Sequence, residues 1–147
     1  MRKIILDQPE RVMCWVAERT GGRQYLDYAS IGLERNGELI AGAVFNQPSH
    51  SMIWGHLAGE GATPAFLHAC FAFPFLQLKL NLLCGVVRAD NEAAIRFDDH
   101  LGFKRVGLLP GGGEDGVDLI VMGMRKDECK FLGGKYREAF QLVARHA

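Results

Sequence analysis

A chain of 147 residues is the size of one domain, residues 1–147, and can bury a core without disulfide or metal staples. Apolar residues at 48% and charged residues at 23% are ordinary globular usage and exclude a disordered or collagen-like chain. Seventeen basic residues balance seventeen acidic ones, so no global field draws the chain onto nucleic acid or an anionic membrane. The segment 125–147 carries a small basic excess that a solvated helix face explains.

Cys14, Cys70, Cys84 and Cys129 form no CxxC, and the histidines form no HxH or HxxxH. Neither a metal site nor a disulfide framework is expected, and reduced thiols fit a cytoplasmic protein. The N-terminus turns polar at Asp7, too early for a secretory signal. The apolar stretch Ala65 to Val87 is interrupted by His68, Pro74, Gln77, Lys79 and Asn81, too often for a membrane span.

Arg2 to Asp7 has the pattern of a short strand, and Asp7-Gln8-Pro9-Glu10 opens a helix with Asp7 as cap and Pro in the first turn. Val12, Trp15 and Val16 recur at helical spacing until Thr20-Gly21-Gly22. Ile31 to Arg35 and Glu38 to Asn46 flank Asn36-Gly37, a type I′ hairpin signal. Ser51 to Ala58 predicts a strand; the loop from Gly59 then closes on Thr63-Pro64, a cap followed by Pro at the first helical position. Ala65 to Phe73 is apolar on nearly every side and predicts a buried helix ended or kinked by Pro74.

Leu82 to Arg88 is dense enough in apolar residues for a strand covered on both faces. Asp90-Asn91 can cap a helix whose buried stripe is Ala94, Phe97 and Leu101, and Gly102 terminates it. Strands follow at Phe103 to Leu109 and Val117 to Met124, around a glycine-rich loop, and Lys135 to Ala144 forms a last helix with Tyr136, Phe140 and Val143 on one face. This order predicts an α/β fold: one mixed, mostly antiparallel sheet with helices on both faces and at least one parallel strand pair.

In such sheets ligands favour the crevice at the carboxyl ends of parallel strands, and a loop opening a helix presents free N–H groups to an anion. Gly59-Glu60-Gly61-Ala62-Thr63 is the candidate loop, although it matches neither a dinucleotide nor a P-loop fingerprint, and a plain strand-to-helix turn also explains its glycines. The most specific string is Asn91-Glu92-Ala93-Ala94-Ile95-Arg96-Phe97-Asp98-Asp99-His100-Leu101-Gly102-Phe103, running on to Gly107. It resembles the corresponding segment of the GNAT superfamily of N-acetyltransferases, over roughly residues 30–125, and looks closest to small GNAT-like proteins of phages and prophages.

That resemblance implies acetyl-CoA, or another acyl-CoA, in a V-shaped gap between Ser51–Ala58 and Leu82–Arg88. The residues implied to hold it are Leu57, Ala58, Gly59, Gly61, Ala62, Thr63, Asn91 and Ala94. An amine, on a small molecule or a protein, would be the acceptor, and the protein a monomer or homodimer. Two departures stand out: the loop lacks the family's leading cation or amide and carries Glu60, and Asp98 occupies the position of a Tyr that can protonate the leaving thiolate. A carboxyl with an ordinary pKa near 3.9 serves that role only if burial raises it. Lys104, Arg105 or solvent could equally satisfy Asp98 and Asp99.

Acyl transfer to an amine needs a base, and His56 has the best intrinsic pKa for it, with Glu60 as second candidate. His56 shares its strand face with Met52, Trp54 and Ala58, so a hydrogen-bonded structural histidine is the competing reading. Cys84 on an apolar strand fits inert packing better than a nucleophile. Tyr25, Asp27 and Tyr28, within residues 20–30, could line an acceptor pocket or pack as ordinary loop. Beside the N-acyltransferase reading stand a non-catalytic binding module acting on a phage or host protein and a nucleobase-modifying GNAT-like protein. The balanced charge disfavours the last, and nucleic acid is not an expected partner.

Overall fold

The computed structural model describes residues 1–21 and 23–145, so Gly22 of the predicted helix stop and acceptor loop lies outside the described residues. Strand β1 (Arg2–Ile5) leads into helix α1 (Pro9–Thr20), then come β2 (Tyr28–Arg35), β3 (Glu38–Ser49) and β4 (Met52–Gly59). Helix α2 (Pro64–Ala72), strand β5 (Leu82–Arg88), helix α3 (Glu92–Leu101), strands β6 (Lys104–Leu109) and β7 (Leu119–Arg125), and helix α4 (Gly134–Arg145) complete the order. The seven strands form one sheet in the order β1-β2-β3-β4-β5-β7-β6. Among the described residues, only β4 and β5 run parallel; every other neighbour is antiparallel.

Asn36 (φ 54°) and Gly37 (φ 87°) both adopt the left-handed conformation that a type I′ turn demands, which twists the β2–β3 hairpin with its strands. Alternation along β3 then divides the core. Ala41, Ala43 and Phe45 face Phe66, Phe71, Phe75 and Phe131 under α2 and the segment leading to α4. Val44 faces the opposite layer, where Val12, Met13, Val16 and Ala17 of α1 cover the first half of the sheet. Fully burying side chains of this size stabilises by roughly 1.5–3 kcal/mol each, so the two layers hold the fold without staples. None of the helices is long and apolar enough to cross a membrane, among the described residues.

The structure corrects several local expectations. Strand β1 stops at Ile5, and Gln8, not Asp7, occupies the cap position of α1, with no side-chain cap bond; Pro9 supplies the start instead. Pro74 ends the α-helix but not the coil: Phe73–Gln77 continue as a π turn, which loosens the spacing where the ring denies a hydrogen bond. The β5 strand is buried only in its first half, and Val86 is 40% exposed, because the sheet opens there. In α3 the buried residues are Ile95 and Leu101, whereas Phe97 is 42% exposed. On α4, Tyr136 and Phe140 pack on the core, but Val143 is largely outside it.

Candidate active site at the parting strands

Strands β4 and β5 pair at only three positions, Met52 with Leu82, Ile53 with Leu83 and Trp54 with Cys84. Both strands continue, to Gly59 and Arg88, but β5 stays hydrogen-bonded to β7 and β4 to β3, so they diverge. The unpaired inner edges of Gly55–Gly59 and Gly85–Arg88 border a wedge that opens at the carboxyl ends of the sheet's one parallel pair, the place where open sheets admit ligands.

The loop above the wedge is set by local chemistry. Gly59 (φ 103°) passes so close to β3 that a Cβ would lie 2.2 Å from the Ile40 carbonyl oxygen, and the Glu60 N–H donates to that oxygen at 3.0 Å. Gly61 takes φ 73°, and Thr63 Oγ1 accepts the Phe66 N–H at 3.2 Å to cap α2, with Pro64 next. Among the described residues, the N–H groups of Gly61, Ala62, Thr63 and Ala65 have no hydrogen-bond partner. A row of free donors at a helix N-terminus suits an anion.

His56 lies on the α1 face of β4, with Tyr25 stacked on it at 4.1 Å between ring centres. Its Nε2 is 3.0 Å from Asn46 Oδ1, and with that oxygen accepting, Nε2 carries the proton and Nδ1 keeps the lone pair. Tyr25 is fixed by a 2.6 Å hydroxyl contact with Thr20 at the end of α1. Burial pushes the imidazole down to about 4, because the charged form loses its water. His56 is thus a hydrogen-bonded, half-buried imidazole that is neutral at physiological pH.

Asn91 caps α3 by accepting the Ala94 N–H at 3.1 Å, and Gly102 closes that helix in the left-handed region. Asp98 lies on the inner side of the last turn, half-buried, and burial followed by the charge of neighbouring Asp99 pushes its carboxyl up to about 6. Among the described residues its carboxylate has no hydrogen bond or ion pair; Lys104, a predicted partner, pairs with Glu128 on the segment after β7. Burial also pushes the Cys84 and Cys70 thiols up, so neither is a ready nucleophile.

Glu60 does not join His56. It lines a separate groove with Trp15, Arg19, Arg35, Leu39 and Ile40. Leu57 and Ala58 pack into opposite core layers, so their contribution to the wedge is backbone. Asn46 and Tyr25 are the partners that sequence reasoning did not assign to His56. The hairpin register could have found Asn46: it pairs with Trp54, one diagonal step from His56 on the same face.

This fold is that of the GNAT acetyltransferases. No family model matches the sequence, and no curated protein does. Among solved structures, the ribosomal-protein-S18-alanine N-acetyltransferase from Escherichia coli aligns with a TM-score of 0.65 at 20% identity, over 92% of this chain and 97% of that one. A spermidine N-acetyltransferase, SpeG, from Vibrio cholerae, a point mutant, aligns at 0.62 and 16% identity, over 74% of this chain and 69% of its own. RimJ from Mycobacterium smegmatis, in complex with CoA-disulfide, gives 0.59 at 19% identity over 80% of this chain, which spans only 61% of that protein.

Proposed function

We propose that the protein is an N-acyltransferase that moves an acetyl or related acyl group from acyl-CoA to an amine by direct attack. The observation that carries this reading is the early end of β4–β5 pairing at Trp54 and Cys84, directly below a loop whose N–H groups have no partner. The residues present fit a CoA thioester in two respects: unpaired strand edges can accept an extended, amide-bearing chain, and four free N–H donors can meet phosphate charge. Bound acetyl-CoA would supply the activated acyl group.

This chain's own residues would do the rest. Gly61, Ala62, Thr63 and Ala65 hold negative charge through backbone donors, while Asn91 and Ala94 shape the start of α3 on the β5 side. His56, neutral above about pH 4, takes a proton from the attacking amine at Nδ1, with Asn46 and Tyr25 fixing the ring. Asp98, with its carboxyl near 6, keeps a proton in about a tenth of molecules at pH 7 and can serve as acid in place of the family's Tyr. Glu60, the second candidate base, lines the neighbouring groove with Arg19 and Arg35, and the geometry favours His56 for this step.

The test is acetyl-CoA-dependent release of free thiol with a panel of spermidine, small amines and peptide N-termini, beside thermal shift. A ligand present at a hundredfold excess over its Kd stabilises by about 2.7 kcal/mol, which a melting scan resolves. No shift and no thiol release at millimolar acetyl-CoA would overturn the reading and favour a binding module.

A further inference from the structure

The groove bearing Glu60 has a volume of about 710 Å³, and the wedge does not account for it. Its walls are the second half of α1, the tip of the β2–β3 hairpin and the Gly59–Gly61 turn. The Arg35 side chain lines it with no ion pair or hydrogen bond among the described residues, and so does the Glu60 side chain. Arg19 lies flat over Trp15, 3.8 Å from the ring centre, with Nη1 donating to the Trp15 carbonyl at 2.9 Å. Trp15 in turn packs against Gly59, where an added Cβ would lie 2.9 Å from its ring. One guanidinium is thus held in place and the other is free, both beside a turn that carries no cation of its own.

We propose that this groove receives the phosphorylated ribose end of CoA, with Arg35 and Arg19 taking the 3′-phosphate. The proposal rests on the acyl-CoA reading and extends it. Gly61 belongs to both features: its N–H is among the free donors at the start of α2, and the residue lines the groove, so a pyrophosphate at the loop leaves the nucleotide at the groove's mouth. Guanidinium groups match phosphate oxygens in fork geometry, and Leu39 and Ile40 supply the apolar wall a nucleobase needs. A cavity of this size lies within the range of ordinary ligand pockets, about 300–1,000 Å³. The acceptor amine is a poorer occupant, because His56 does not line this groove. Arg19 is already paired with Glu18 at 3.7 Å and Glu60 opposes the phosphate, so among the described residues Arg35 is the cation of the groove left without an acidic partner.

Isothermal titration of CoA and 3′-dephospho-CoA into the full chain and its variants tests this without any acceptor or turnover. The native protein should bind CoA at least about tenfold tighter than dephospho-CoA, as a charge-assisted phosphate contact requires. Arg35→Gln, on an exposed hairpin tip, should shrink that ratio to within about threefold while leaving dephospho-CoA affinity unchanged, and Arg19→Gln should act in the same direction. Glu60→Gln should tighten CoA severalfold and dephospho-CoA less. An unchanged ratio in both arginine variants, or equal affinity of the native chain for the two ligands, would overturn the proposal while leaving the acyl-CoA reading standing. Failure of the native chain to bind either ligand would remove both.

Discussion

Asp98 and His56 titrate with opposite sign, and that opposition can be measured without any substrate. Asp98 has a folded value of about 6 against an ordinary 3.8, so its contribution to stability is complete below the unfolded value and is lost as pH rises through 6. His56 has a folded value of about 4 against 6.5, so its contribution is present above the unfolded value and is lost as pH falls toward 4. Between pH 7.5 and pH 5, linkage gives a loss of about 2 kcal/mol from His56 and a gain of about 1.4 kcal/mol from Asp98, trimmed to roughly 1 for the flank of the carboxyl still in water. The native chain should therefore show only a shallow slope across this window from these two groups. Asp98→Asn should steepen it, with the variant about 1 kcal/mol less stable relative to the native chain at pH 5 than at pH 7.5. His56→Gln should tilt the difference the other way. Urea unfolding at four or five pH values measures all three. An Asp98→Asn curve parallel to the native one within about 0.3 kcal/mol would show the carboxyl to be ordinary and remove it as an acid.

If His56 is the base, the acidic limb of kcat/KM should fall near pH 4 rather than 6.5, and His56→Gln should cost about 10²–10⁴ in rate at pH 7 with acetyl-CoA affinity nearly unchanged; full activity in that variant would leave His56 a structural residue. Asp98→Tyr restores the residue usual in the resembled family, and turnover should rise if thiolate protonation limits the rate, provided the ring fits beside Ile95 and Leu101. Gly59→Ala should destabilise far more than Gly61→Ala: the first drives a Cβ against the Ile40 carbonyl, whereas the second meets only the tip of Ile40 at 3.4 Å and carries about 1 kcal/mol of backbone strain. Comparable melting temperatures for the two variants would contradict the close approach of loop and strand.

The elements with strong local signals were legible in the sequence. Asn36-Gly37, Thr63-Pro64 and Asn91 with Gly102 mark their turn, cap and helix in the structure as the residues predict, because each signal acts within three or four positions. Burial was less legible, since it depends on neighbours far away in the chain. Leu82–Arg88 has the composition of a strand covered on both faces, yet its second half is open where β4 departs. Phe97 satisfies the helical spacing of a buried stripe, but α3 turns Ile95 and Leu101 inward instead. The candidate site was half legible for the same reason. His56 and Asp98 announce themselves by residue type, whereas the ring stack of Tyr25 and the convergence of Arg19 and Arg35 on one groove arise only from folding.

The short parallel seam also orders the assembly of the molecule. Every strand on one side of it comes from residues 2–59, and every strand on the other from residues 82–125, so each half of the sheet closes through antiparallel contacts within its own segment, between consecutive strands except where β5 pairs with β7. The hairpin contacts of β2, β3 and β4 carry little loop-closure entropy and form early, and the first half leaves the ribosome before the second. Joining the halves needs the α2 crossover in place and gains only three residue pairs, so the seam should be the last part of the backbone to become protected. Pulse-labelled hydrogen exchange during refolding would show amides of β2 and β3 protected ahead of those at Ile53 and Leu83.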